Sequence, residues 1–193
     1  VDDLGGSTTG WLGPAVPLPS VGHTWVGAVT DDSVTVSYEL TNVTSARLVV
    51  SESEDLSSPT YSSAGSPDAD GMVKLALSGL DPDTRYYFGV EADGLVLGDG
   101  RGEFATDPSP GSQASFSVAF GSCQVTNSNA ETFEVIAGWE GPYGRARRFI
   151  HLGDLHYRDF GAGTSAADVV DQYRSSLAPS RMRMLLYTIP TVY

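Results

Sequence analysis

The sequence predicts an all-β domain followed by an α/β domain. Three observations lead there: short runs with period-two apolar alternation between Trp25 and Thr106, a Pro/Gly/Ser stretch at residues 107–112, and beyond it apolar runs that alternate with helical patterns. A chain of 193 residues suits one large domain or two small ones.

Residues 1–21 are rich in Gly, Pro, Ser and Thr and read as an extended arm, whose Trp11 and Leu12 are expected to dock on a neighbouring surface. The β domain is expected over residues 22–107. Ser33-Val34-Thr35-Val36-Ser37-Tyr38 alternates as a half-buried strand does. Further strands are expected at Ala46–Ser51, Met72–Leu77, Tyr86–Ala92 and Arg101–Ala105, with turns at Asp31-Asp32, Ser66-Pro67-Asp68 and Ala92-Asp93-Gly94. Evenly spaced short strands predict an antiparallel sandwich of seven strands. Leu80-Asp81-Pro82-Asp83-Thr84-Arg85-Tyr86 resembles the L-x-P-x-T-x-Y corner of fibronectin type III domains, so the sandwich is read as fibronectin type III/Ig-like, with Tyr86 buried at the corner.

Residues 108–113 read as a linker, and residues 114–193 as the start of an α/β domain. Ala114–Phe120 is a strand leading into a Gly-Ser-Cys-Gln turn. Asn129–Trp139 reads as a helix, and Arg148–Leu152 as a second strand ending in Gly153-Asp154. These strands should lie adjacent and parallel, joined by a right-handed crossover through that helix. Ser165-Ala166-Ala167-Asp168 has capping-box spacing, and Val169, Val170, Tyr173 and Leu177 fall on one helical face beyond it. A shorter helix follows Pro179, and a strand begins at Thr188.

The formal net charge of −13 and pI near 4.3 oppose binding to a nucleic-acid backbone. They do not oppose phosphate chemistry, because a bound metal can supply local positive charge. The lone Cys123 excludes an intramolecular disulfide. No apolar run reaches membrane-spanning length, so no transmembrane segment is expected.

Two strand ends carry the candidate chemistry. Cys123 follows the first strand and Asp154 the second, with His156 and Tyr157 just beyond; thiolate, carboxylate, imidazole and phenolate are all metal-ligand types. Gly153 allows the sharp turn that projects Asp154. By residue type alone Cys123 also reads as a small buried residue, Asp154 as a turn residue and Tyr157 as a packing aromatic. His156 reads as structural, His151 as buried in its strand and His23 as part of the sandwich. Arg145, Arg147 and Arg148 read as a solvated loop, with attraction of phosphate the alternative.

Phe120-Gly121-Ser122-Cys123-Gln124, followed by Phe149-Ile150-His151-Leu152-Gly153-Asp154-Leu155-His156-Tyr157, resembles PhoD-like alkaline phosphatases and phosphodiesterases of the metallophosphoesterase superfamily. Ile189-Pro190-Thr191-Val192-Tyr193 resembles that family's approach to its next motif, and a fibronectin-like domain precedes the catalytic one there too. The resemblance implies hydrolysis of phosphate mono- or diesters with iron(III) and calcium as cofactors. It implies Cys123, Asp154 and Tyr157 as iron ligands, Asp154 bridging to calcium and acting in catalysis. It also implies a secreted, periplasmic or cell-wall location. The family's later ligands lie beyond Tyr193, so this chain is expected to hold part of the metal site, to be inactive by itself and to need a further segment that completes the catalytic sheet. The reading from another class is a non-catalytic secreted β-sandwich that binds a partner.

Overall fold

The computed structural model describes residues 17–192. The docking expected of Trp11 and Leu12 falls outside the described residues, as does Tyr193. Eight strands come first: β1 (Ser20–Gly27), β2 (Ser33–Thr41), β3 (Ala46–Ser51), β4 (Thr60–Tyr61), β5 (Met72–Ser78), β6 (Arg85–Ala92), β7 (Leu95–Val96) and β8 (Gly102–Ala105). They form two antiparallel sheets, β1-β2-β5 and β4-β3-β6-β7, with β8 also on β6. The strand expected at Arg101–Ala105 is β8, and the short β7, which pairs with the other half of β6, brings the count to eight where seven were expected. β1 starts at Ser20, two residues before the sandwich boundary drawn from composition.

Alternation builds the core. Val34, Val36, Tyr38 and Leu40 of β2 and Val73, Leu75 and Leu77 of β5 point inward from one sheet; Leu48 and Val50 of β3 and Tyr86, Phe88 and Val90 of β6 meet them from the other. Each such side chain contributes roughly 1.5–3 kcal/mol by leaving water. Tyr86 is buried at the corner, where its hydroxyl accepts from the Asp81 amide at 3.0 Å and its ring stacks on Phe104 at 5.6 Å. Burial raises its pKa.

No regular element occupies residues 106–116. Then come β9 (Ser117–Gly121), α1 (Glu131–Gly138), β10 (Glu140–Gly141), β11 (Gly144–His151), α2 (Ala166–Leu177), α3 (Ser180–Thr188) and β12 (Thr191–Val192). β9 and β12 flank β11, both parallel to it, and α1 lies between β9 and β11 in the chain as expected. β10 forms a short hairpin with the start of β11. One sheet face is covered by helices: Phe133 and Ala137 of α1 and Met182, Leu185 and Leu186 of α3 pack with Ala146 and Phe149. Met182, Leu185 and Leu186 follow the i, i+3, i+4 spacing of a buried helical stripe. The other face leaves Val118, Phe120 and Val192 exposed.

The two units are joined by charge and by close approach. Arg145, Arg147 and Arg148 are not a solvated loop. They lie on β11 and pair with the sandwich: Arg145 with Glu103, Arg147 with Asp83 and the Thr106 carbonyl, and Arg148 with Asp107 at 2.6 Å and the Val29 carbonyl at 3.0 Å. Three arginines within four residues look solvated in a sequence, because the acids that partner them sit 41 to 64 residues upstream. The ladder also shifts register between Ala146 and Arg148, which breaks strict alternation and lets consecutive arginines reach the same surface. Arg174 of α2 adds a pair with Glu39 of β2 at 3.1 Å. Tyr187 of α3 packs on the sandwich core, and Gly102 is required there: a Cβ would collide with the Tyr187 carbonyl and the Phe88 ring.

Candidate functional site

The parallel pairing of β9 with β11 continues past both strand ends. Leu152 N–H donates to the Gly121 carbonyl at 2.7 Å, Cys123 N–H to Gly153 at 3.2 Å and Gln124 N–H to Asp154 at 2.8 Å. These bonds bring the turn after β9 against the turn after β11, at the carboxyl ends of the strands, where α/β sheets place their ligands.

Both turns use left-handed backbone. Gly153 has φ 106°, as expected of a glycine placed to turn the chain sharply, but Asp154 (φ 58°) and Cys123 (φ 61°) also have positive φ. For residues bearing a Cβ this conformation costs roughly 1–2 kcal/mol each, less for Asp, whose side chain bonds locally. Strain of this kind concentrates at sites of function.

The side chains converge. Cys123 Sγ donates to Asp154 Oδ2 at 3.6 Å, and the Tyr157 hydroxyl donates to the same oxygen at 3.4 Å. Tyr157 is fixed at its backbone, where its N–H donates to Thr126 Oγ1 at 2.9 Å. All three residues are exposed. The Tyr157 phenol is pushed up to about 12, first by its hydrogen bond with Cys123, then by desolvation and by the charges of Cys123 and Asp154. The phenol thus resists ionising beside Cys123 and Asp154, and a cation bound there would favour its charged form. Cys123, Asp154 and Tyr157 therefore meet as the sequence predicts. Among the described residues no group of three or more His, Cys, Asp and Glu forms; the third member of this cluster is a tyrosine.

The histidines stand apart from this cluster. His151 is buried on β11, its pKa lowered by burial against the opposing pull of Asp154. His156 sets its ring edge-on to Tyr173 at 4.8 Å and Phe160 at 5.4 Å. His23 pairs with Glu39 on the sandwich. The sequence assigned no role to Gln124, Arg158, Gln172 or Ser176, yet they form a hydrogen-bonded chain beside the cluster. The only sequence signal for it was Gln124 standing directly after Cys123.

No family model matches the chain, and no curated protein matches it. A solved structure of PhoD superposes with a TM-score of 0.72 at 17% identity, over 88% of this chain and 37% of that one. The likeness is one of fold. It spans the sandwich and the unit that follows it. The chain thus corresponds to little more than a third of the length of that PhoD chain. The sensor domain of the anti-sigma factor RsgI4 from Pseudobacteroides cellulosolvens matches about half of this chain (51%) and 99% of its own, with a TM-score of 0.41 at 18% identity. The sixth fibronectin type III domain of a human fibronectin type III domain containing protein matches 53% of this chain and 98% of its own, with a TM-score of 0.36 at 24% identity. Scores at that level carry no further argument.

Proposed function

We propose that this chain supplies part of the active site of a metal-dependent hydrolase of phosphate mono- or diesters of the alkaline phosphatase D type. The observation that carries this reading is the meeting of Cys123 Sγ, Asp154 Oδ2 and the Tyr157 hydroxyl, within 3.4–3.6 Å, at the ends of adjacent parallel strands held in strained backbone. The PhoD-like fold supports it.

Thiolate, carboxylate and phenolate fit a trivalent iron, and Asp154, with two oxygens, is the residue to reach a neighbouring calcium as well. Such ions, when bound, supply Lewis-acid stabilisation of charge on phosphoryl oxygens. The chain's own residues orient that chemistry. Asp154 sits between the two other donors, and the backbone bonds from Cys123 and Gln124 to Gly153 and Asp154 fix the separation of the two turns. A further segment that covers the bare face of the β9-β11-β12 sheet and adds ligands belongs to the same proposal, as does a secreted, periplasmic or cell-wall location.

The test is hydrolysis of a chromogenic phosphodiester by the complete protein with iron and calcium. Asp154→Ala should lower turnover by more than about 100-fold, the upper range for changes outside the ligand set; a fully active variant refutes the assignment. The 193-residue chain by itself should not turn over substrate. The sandwich also supports a second reading as a binding module, because residues 20–106 close a core of their own. A metal-free protein that holds a partner tightly would favour it.

A further inference from the structure

Helix α2 buries two polar residues beside the apolar stripe its sequence offers. Gln172 and Ser176 are 5% and 0% exposed, while Val170 and Tyr173 are 41% and 44% exposed. A helix that only covers a core buries its apolar stripe. A buried amide and hydroxyl persist where they have partners to hold.

Those partners are the immediate neighbours of the candidate ligands. Gln124, next to Cys123, is buried and donates from Nε2 to the Ser176 carbonyl at 3.2 Å, in the last turn of α2, where carbonyls lack helical donors. Gln172 Nε2 donates to Ser176 Oγ at 3.3 Å, and Gln172 Oε1 accepts from Arg158 Nη1 at 3.0 Å. Arg158 follows Tyr157, and His156, which precedes it, rests on Tyr173 of the same helix. Residues flanking Cys123 and Tyr157 are thus tied to one short stretch of α2.

We infer that Gln172, acting with Ser176, is a positioning residue that sets the placement of Tyr157 relative to Cys123 and Asp154. Its purpose, though not its geometry, rests on the reading of Cys123, Asp154 and Tyr157 as ligands. Cys123 and Tyr157 are too exposed for packing to fix them, and donor sets tolerate displacements of only about 0.5 Å. Their placement is therefore set by buried neighbours, which are held in turn by the polar stripe of α2.

The test compares Gln172→Leu, which removes both amide bonds at similar volume, with Gln172→Glu, which keeps the acceptor for Arg158. Arg158→Met, at an exposed position, probes the same arm should Gln172→Leu fail to fold. Three quantities are read on the complete protein: iron(III) affinity by chelator competition, the visible tyrosinate-to-iron absorption band, and amide hydrogen exchange at Cys123 and Gln124 in metal-free protein, referenced to β2. Gln172→Leu should weaken iron binding by about 10–100-fold, shift the band and speed exchange at those two amides without changing β2, and Gln172→Glu should recover most of each loss. Unchanged loop exchange in both Gln172→Leu and Arg158→Met overturns the positioning role, as does exchange that rises equally in β2. If the wild-type protein takes up no iron, the metal reading fails, and exchange at Cys123 and Gln124 alone decides whether α2 positions the two turns.

Discussion

Between β2 and β6, Val36, Tyr38, Phe88 and Val90 are shut from solvent on every side, whereas across β9, β11 and β12 one sheet face leaves Val118, Phe120 and Val192 at 40%, 72% and 49% exposure. Both regions place large apolar side chains on their strands. The sandwich matches two inward faces to each other, but the second unit has helices on one side of its sheet. Leu152, at 64% exposure just past the end of β11, extends the exposed apolar surface toward the strand end that carries Asp154. Exposed patches of this kind mark surfaces made for contact. The two regions thus use similar residues for different ends: the sandwich for its own stability, the second sheet for a surface beside the candidate site.

The largest effect that would break this contrast is core truncation. Phe88→Ala should cost about 3–5 kcal/mol by urea unfolding, whereas Phe120→Ala should fall within about 0.5 kcal/mol of wild type. A comparable cost at Phe120 would show that the face is covered within this chain. The junction comes next. Arg148→Ala leaves the Val29 carbonyl and Asp107 without their shared partner and should cost about 1–3 kcal/mol. A change too small to resolve would return Arg148 to the solvated role that the sequence suggested.

What could be read without coordinates followed from local chemistry. Alternation at Val34, Val36 and Tyr38 marks β2, the Leu80–Tyr86 corner places Tyr86, and the Ser165–Asp168 capping box starts α2. The approach of Cys123 to Asp154 was legible because parallel strands end together; Tyr157 was singled out by the motif it sits in and not by strand order. Partner choice across the chain was not. Nothing local in Arg147 points to Asp83, and helical periodicity marks an apolar stripe at Val169, Val170, Tyr173 and Leu177 without showing that Gln172 and Ser176 would be the most deeply buried residues of that helix. The two-residue β7 was hidden for the same reason, since so short a strand is defined by its pairing with β6 and not by its own residues.

The smallest expected effect sharpens the contrast at the site itself. Cys123 is exposed and strained, so Cys123→Gly should raise stability by about 1 kcal/mol while removing a candidate ligand. Destabilisation by that substitution would mean that the thiol, unlike the exposed apolar face, contributes to the fold.

In the proposed site Cys123, Asp154 and Tyr157 hold a metal. Elemental analysis of the complete protein, purified without added chelator, tests it most directly. Iron should be present at close to one equivalent per chain and be lost in Asp154→Ala while the circular dichroism spectrum is retained; a wild-type protein without iron, or an Asp154→Ala variant that keeps its full complement, would contradict it.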